Sequence, residues 1–167
     1  MQDFIVNLQN FVTGLPEAVQ FLGVVAIGLI PFVESHLGSA IGIAAGVPIP
    51  LAVLAAIVGN ILSVLAFVYV GTSIRGAFRR GRGTPEKREG RESRGSSRVK
   101  ENMERFGVPG ASLIGPVLLP SQFTSTALVG AGANRGTVVT WTLVAVVLWG
   151  VVSGAMAAGL FNAAGIV

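Results

Sequence analysis

One carboxyl and one imidazole stand two residues apart in otherwise apolar sequence. They are Glu34 and His36, in the run Ile30-Pro31-Phe32-Val33-Glu34-Ser35-His36-Leu37-Gly38, and His36 is the only histidine of the chain. A charged side chain carried into a bilayer costs about 2.5–3.5 kcal/mol on insertion scales, so such a residue normally faces a cavity and has a partner. Away from water both groups favour their neutral forms. The pair is therefore suited to taking up and releasing a proton, or to meeting a substrate's charge. A second polar cluster, Ser121-Gln122-Phe123-Thr124-Ser125-Thr126, offers hydroxyls and an amide. Helices starting near Ser35 and Ser121 would turn the positive ends of their dipoles towards the centre, where an anion could bind. The same residues could instead simply cap broken helices. Arg135 either anchors the chain at the membrane interface or meets a substrate phosphate or Glu34. Asn60, inside a long uncharged stretch, is placed to hydrogen-bond a neighbouring helix or to line a substrate path. No catalytic triad, metal-ligand cluster or Walker loop occurs, so neither an enzyme nor a metal or other cofactor is expected. The absence of cysteine removes thiolate chemistry and disulfides as well.

The elements that must position these residues are membrane elements. Of 167 residues, 51% are hydrophobic and 12% charged, about half the charge of a soluble domain. The charge is also concentrated. Arg75–Arg105 holds 11 of the 12 basic residues against 5 of the 8 acidic ones, a balance of +6, and the rest of the chain has only Asp3, Glu17, Glu34 and Arg135. Four charges cannot keep the remainder in water, so a cytosolic globule is excluded. The basic pI belongs to one stretch with a single aromatic, Phe78, and does not indicate nucleic-acid binding. Asp3 as the first charge gives no basic n-region, so no cleaved signal peptide is expected.

Pro50–Ile74 runs 25 residues without a charge and Gly136–Val167 runs 32. Each is long enough for a transmembrane helix across about 30 Å of hydrocarbon. Two other apolar regions are interrupted. Ala18–Val33 meets Pro31 and is followed, after Glu34-Ser35-His36, by the short run Leu37–Val47. Val108–Asn134 contains Pro109, Pro116 and Pro120. Broken backbone survives in a bilayer only where protein or a water-filled cavity covers it, so both regions are expected to be re-entrant helical hairpins.

The halves repeat. Phe4, Leu8 and Phe11 share the spacing of Val99, Met103 and Phe106, and each stripe suits an amphipathic helix at an interface. Gly14-Leu15-Pro16 and Gly107-Val108-Pro109 follow, then a broken region, then the ladders Gly38/Gly42/Gly46 and Thr126/Gly130/Asn134, then a long span. The offset falls from 93 to 88 residues between these landmarks, which predicts about five extra residues in the first hairpin. The expected fold is an all-α integral membrane protein. Residues 1–74 and 99–167 form two repeats of amphipathic helix, re-entrant hairpin and transmembrane helix, joined by a disordered linker over 75–98. Paired interrupted segments of this kind point to a transporter. The positive-inside rule puts the loop 75–105 in the cytoplasm of a multi-pass plasma-membrane protein, with the repeats inverted and the hairpin tips meeting near the midplane. Gly38-x-x-x-Gly42-x-x-x-Gly46 and Gly150-x-x-x-Gly154 permit close helix approach, for packing or for a homodimer.

The run Ile30 to Gly42, with Gly59-Asn60 downstream, resembles the small multidrug export family, which shows a Pro-x-x-Glu stretch, a small-residue run with Ala-Ile, and a Gly-Asn in the following helix. Phe106-Gly107-Val108-Pro109 and Pro116–Gln122 resemble its second half. The chain departs from that pattern at His36, where the family often has Arg, and at Gly42, where it often has Pro. The resemblance implies that Glu34 and Asn60 fall on family positions. The architecture is also similar to the DedA superfamily, whose re-entrant inverted repeats are linked to moving lipid carriers. Three functions are therefore in view. One is proton-coupled export of a small amphipathic or cationic compound, with Glu34 as counter-charge. Another is a flippase for a phosphorylated lipid, using the helix ends and Arg135. The third is a non-transporting scaffold that recruits partners through 75–105.

Overall fold

Proline and glycine punctuate the chain where the helices stop. Gly14-Leu15-Pro16 ends helix α1 (Gln2–Thr13), and a 3-10 turn over Glu17–Val19 leads into α2 (Gln20–Gly28). Residues 29–33, with Pro31 at their centre, form a turn into α3 (Glu34–Ala44). Helix α4 follows over Ile49–Gly81, with the Ala52 N–H bonded to the Pro48 carbonyl. Residues 107–116 are helical (α5), Pro120 stands directly before α6 (Ser121–Gly130), and α7 covers Arg135–Ala163. The computed structural model describes residues 2–81, 107–116 and 118–165, and these contain helices and turns but no strand. The stripe Val99, Met103, Phe106 and the linker beyond residue 81 lie outside the described residues. Helix α4 runs seven residues into the stretch read as linker, because no proline interrupts it before Pro85.

Among the described residues, two helices are long and apolar enough to cross a membrane, Ile49–Gly71 and Arg135–Ala163. Leu51, Leu54, Val58 and Leu62 are exposed along one side of α4, and Val147, Leu148, Val151 and Leu160 are exposed on α7. The other helices are far shorter. At 1.5 Å per residue, α2 and α3 reach roughly 14 and 17 Å, about half of a 30 Å hydrocarbon core.

The chain divides into two compact units, Met1–Ser63 with Ala145–Val167, and Val64–Val144. In the first, α2 and α3 form an antiparallel hairpin whose register can be read from its glycines. A Cβ on Gly38 would lie 3.7 Å from the Gly28 Cα, and one on Gly42 would lie 2.9 Å from the Val24 side chain. Position 38 thus faces 28 and 42 faces 24. Val24, Ile27, Ile41 and Ile43 carry this contact into a core with Ala52, Ala55 and Ala56 of α4. Helix α1 meets the Glu17–Gly28 segment at 115°. It packs through Ile5, Leu8 and Val12, while Phe4, Val6 and Phe11 stay exposed. Of the Phe4/Leu8/Phe11 stripe, Leu8 packs against the protein and the two phenylalanines do not. The Gln9 side-chain amide ties α1 to the Ala44 carbonyl at 2.9 Å.

The second unit contains a hairpin of the same build. A Cβ on Gly115 would meet Thr124, and Ala111 shares a core with Leu128 and Val138. The pairs 115/124 and 111/128 again define antiparallel arms. The returning arms end alike. Gly46 (φ +89°) and Gly132 (φ +100°) take the left-handed conformation that glycine adopts without cost. Val47 N–H bonds the Gly42 carbonyl and Gly46 N–H that of Ile43, while Ala133 bonds Leu128 and Gly132 bonds Val129. These are two Schellman caps, 86 residues apart.

This match revises the register read from the sequence. Gly46 corresponds to Gly132, not to Asn134, and it caps a helix instead of packing against one. Asn134 is an N-cap, its Oδ1 accepting from the Thr137 N–H at 3.1 Å. The two Gly-x-Pro landmarks are not equivalent either. Gly14-Leu15-Pro16 separates α1 from the hairpin, whereas Gly107-Val108-Pro109 lies within α5. Most of the extra residues of the first half therefore precede its hairpin, which is only one residue longer between its facing pairs 28/38 and 115/124.

Candidate functional site

Glu34 sits where α3 leaves the hairpin turn. It is 1% exposed. Its backbone is left-handed, with φ +52°, and so is that of Phe32, with φ +73°. No other described non-glycine residue has positive φ. Left-handed backbone costs an L-residue about 1–2 kcal/mol, and such residues persist only where their surroundings over-determine them. The His36 Nδ1 lies 3.8 Å from the Glu34 Oε2. That is an ion-pair distance but too long for a hydrogen bond. The His36 side chain is 33% exposed. The pair thus has one member inside and one at the edge.

The turn is fastened at both ends by side chains. The Ser63 hydroxyl of α4 donates to the Leu29 carbonyl at 2.8 Å. The Ser35 hydroxyl donates to the Val146 carbonyl of α7 at 2.9 Å, and the Asn60 Nδ2 of α4 approaches the Ser35 Oγ at 3.5 Å. Ser39 donates to the Ser35 carbonyl at 2.6 Å. Gly150 and Gly154 are spent inside this unit. Added Cβ atoms there would meet Ile57 and Ser35, and Val53 and Ser39, respectively. They serve packing of α7 against α3 and α4. Asn60 bonds a neighbouring helix as its position in the sequence implies.

In the second unit Ser121, Gln122, Thr124 and Ser125 are buried in α6. Helix α6 begins at Ser121 and α3 at Glu34, close to the expected helix starts. Much of the cluster's polarity is turned onto its own helix. The Ser125 hydroxyl donates to the Ser121 carbonyl at 2.7 Å and Thr126 to Gln122 at 2.7 Å. Thr124 reaches the Leu119 carbonyl only at 3.5 Å. This back-bonding satisfies a hydroxyl without a second helix. Arg135 is exposed at the start of α7, with its guanidinium 5.2 Å from the centre of the Tyr69 ring. The arrangement is cation–π packing at a helix end.

The structure therefore brings Glu34, Ser35, His36 and Asn60 together at the first hairpin. It places Ser121, Gln122 and Thr124 on the corresponding arm of the second, and Arg135 on Tyr69. Ser39 and Ser63 belong to the first group and were not singled out from the sequence. The i, i+4 spacing of Ser35 and Ser39 was the one available signal. Ser112 and Thr142 of the second unit also bury hydroxyls that meet no hydrogen-bond partner. No group of His, Cys, Asp and Glu among the described residues could hold a metal ion. Comparison with protein-family models, with curated proteins and with solved structures finds no match.

Proposed function

We propose that the chain is a multi-pass membrane transporter that exports a small amphipathic or cationic compound in exchange for a proton, with Glu34 as the coupling carboxyl. The observation that carries this reading is the burial of Glu34 at the tip of a hairpin whose arms are each half a bilayer long, in a chain with two apolar spans. A hairpin of that size enters the hydrocarbon and turns back, leaving its tip near mid-depth. A carboxyl there is costly to keep, and intramembrane carboxyls mark proton relays and ion pathways. The second hairpin presents neutral polar groups, Ser121, Gln122 and Thr124, and enters from the opposite face as an inverted repeat. The basic stretch 75–105 lies in the cytoplasm.

The test is uptake of a cationic dye into proteoliposomes under an imposed pH gradient. Glu34→Gln removes the gradient-driven component and Arg135→Ala retains it. If Glu34→Gln moves dye at the wild-type rate, the reading fails. If Arg135→Ala alone abolishes activity, and phosphorylated lipid is the species moved, the flippase reading replaces it.

A further inference from the structure

Residue 35 is held through each of its parts. Its hydroxyl hydrogen is committed to the Val146 carbonyl at 2.9 Å, and its oxygen faces the Asn60 amide at 3.5 Å. Its carbonyl accepts from Ser39 at 2.6 Å. Its Cβ is so close to Gly150 that a methyl added there would come within 3.1 Å of it. Three helices thus converge on the residue next to Glu34. Glu34 itself keeps a left-handed backbone without being glycine, a state that needs its neighbours fixed. With its one hydrogen given to Val146, Ser35 is not a donor to the carboxylate or to a ligand. It acts on Glu34 through the backbone.

The second hairpin supplies an internal contrast. At the 86-residue offset Ser121 matches Ser35 and Ser125 matches Ser39, and the bond of 2.6 Å between the first pair recurs at 2.7 Å between the second. The residue matching Glu34 is Pro120, with φ −51°. The proline ring fixes that φ, so the second tip cannot take the left-handed form. In the first hairpin residue 35 is anchored to Val146 and Asn60.

We propose that Ser35 and Asn60 are positioning residues for Glu34. By pinning the first turn of α3 to α7 and α4, they hold the Glu34 backbone left-handed and its carboxyl inside. This rests on the proposed role of Glu34, but the measurement that tests it reads geometry and not transport.

The full chain in liposomes is treated with a water-soluble carbodiimide and an amine over a range of pH, and labelling of each carboxyl is quantified by peptide mass spectrometry. Exposed Glu17 is the reference in the same molecule. In the wild type Glu34 labels poorly relative to Glu17. Ser35→Ala and Asn60→Ala each raise its relative labelling about tenfold, as loss of a buried hydrogen bond allows, and its pH profile converges on that of Glu17. Ser125→Ala, which removes the twin bond in α6, leaves Glu34 unchanged. Unaltered labelling and an unaltered profile in Ser35→Ala and Asn60→Ala overturn the proposal, as does an equal rise in Ser125→Ala. Should Ser35→Ala fail to fold, Asn60→Ala decides alone, because it leaves the bond to Val146 in place. A wild-type dye rate for Glu34→Gln would overturn the proposed function and leave this result standing.

Discussion

Phe32 offers a direct measure of the strain in the first hairpin. Its φ of +73° suits glycine, yet the residue is phenylalanine and 68% exposed. Replacing it with glycine and, separately, with alanine removes the ring in both cases. Only glycine removes the steric cost of left-handed backbone. That cost is about 1–2 kcal/mol for an L-residue. Glycine gives back about 0.4–1 kcal/mol through the greater freedom of the unfolded chain. The net expectation is that Phe32→Gly is about 0.5–1 kcal/mol more stable than Phe32→Ala. Residue 32 lies in the turn and not in a helix, so helix propensity does not enter the comparison. The assay is equilibrium unfolding in detergent micelles, followed by the fluorescence of Trp141 and Trp149. The comparison holds whatever the ring touches, since both variants lack it. If Phe32→Ala equals or exceeds Phe32→Gly in stability, the left-handed turn is not a source of strain and the account of the tip is wrong.

Two further predictions concern glycines. A Cβ on Gly28 would stand 2.5 Å from the Ala56 carbonyl oxygen, a backbone atom that cannot swing aside. Gly28→Ala should therefore destabilise the protein by about 1–3 kcal/mol, as overpacking does, and thermal unfolding would show it as a lowered midpoint. Gly46 and Gly132 have nothing within 4 Å of an added Cβ, so only their positive φ opposes substitution. Gly46→Ala and Gly132→Ala should each cost about 0.5–1 kcal/mol, the left-handed penalty less what the stiffer unfolded chain returns. A large disparity between the two would deny that the caps are equivalent.

Prolines and charge gaps made the helices legible. Pro31 and Pro120 mark the hairpin turns, and the uncharged runs from Pro50 and Gly136 became α4 and α7. What the letters concealed follows from the same physics. Glu34 and Phe32 have no glycine-like signature, so left-handed backbone could not be read from them. The burial of Glu34 is a tertiary property, and its neighbour Ser35 bonds Asn60 and Val146, 25 and 111 residues further along the chain. The offset between halves was misread because small residues recur everywhere. Gly46 looks like the last rung of a packing ladder, and only its φ shows it to be a cap.

The seam between α2 and α4 has a mechanical consequence. At Gly28 and Gly59 the two helices meet with no side chain between them, main chain on main chain. An added Cβ at Gly59 would meet the Val25 carbonyl oxygen just as one at Gly28 would meet that of Ala56. There is no layer of rotatable groups to act as a bearing, so α2 and α4 behave there as one beam. Sliding either along the other would require lifting peptide units over one another. Any change of shape at the hairpin tip must then be taken up in the five residues from 29 to 33, a hinge short enough that its travel is measured in single dihedral angles.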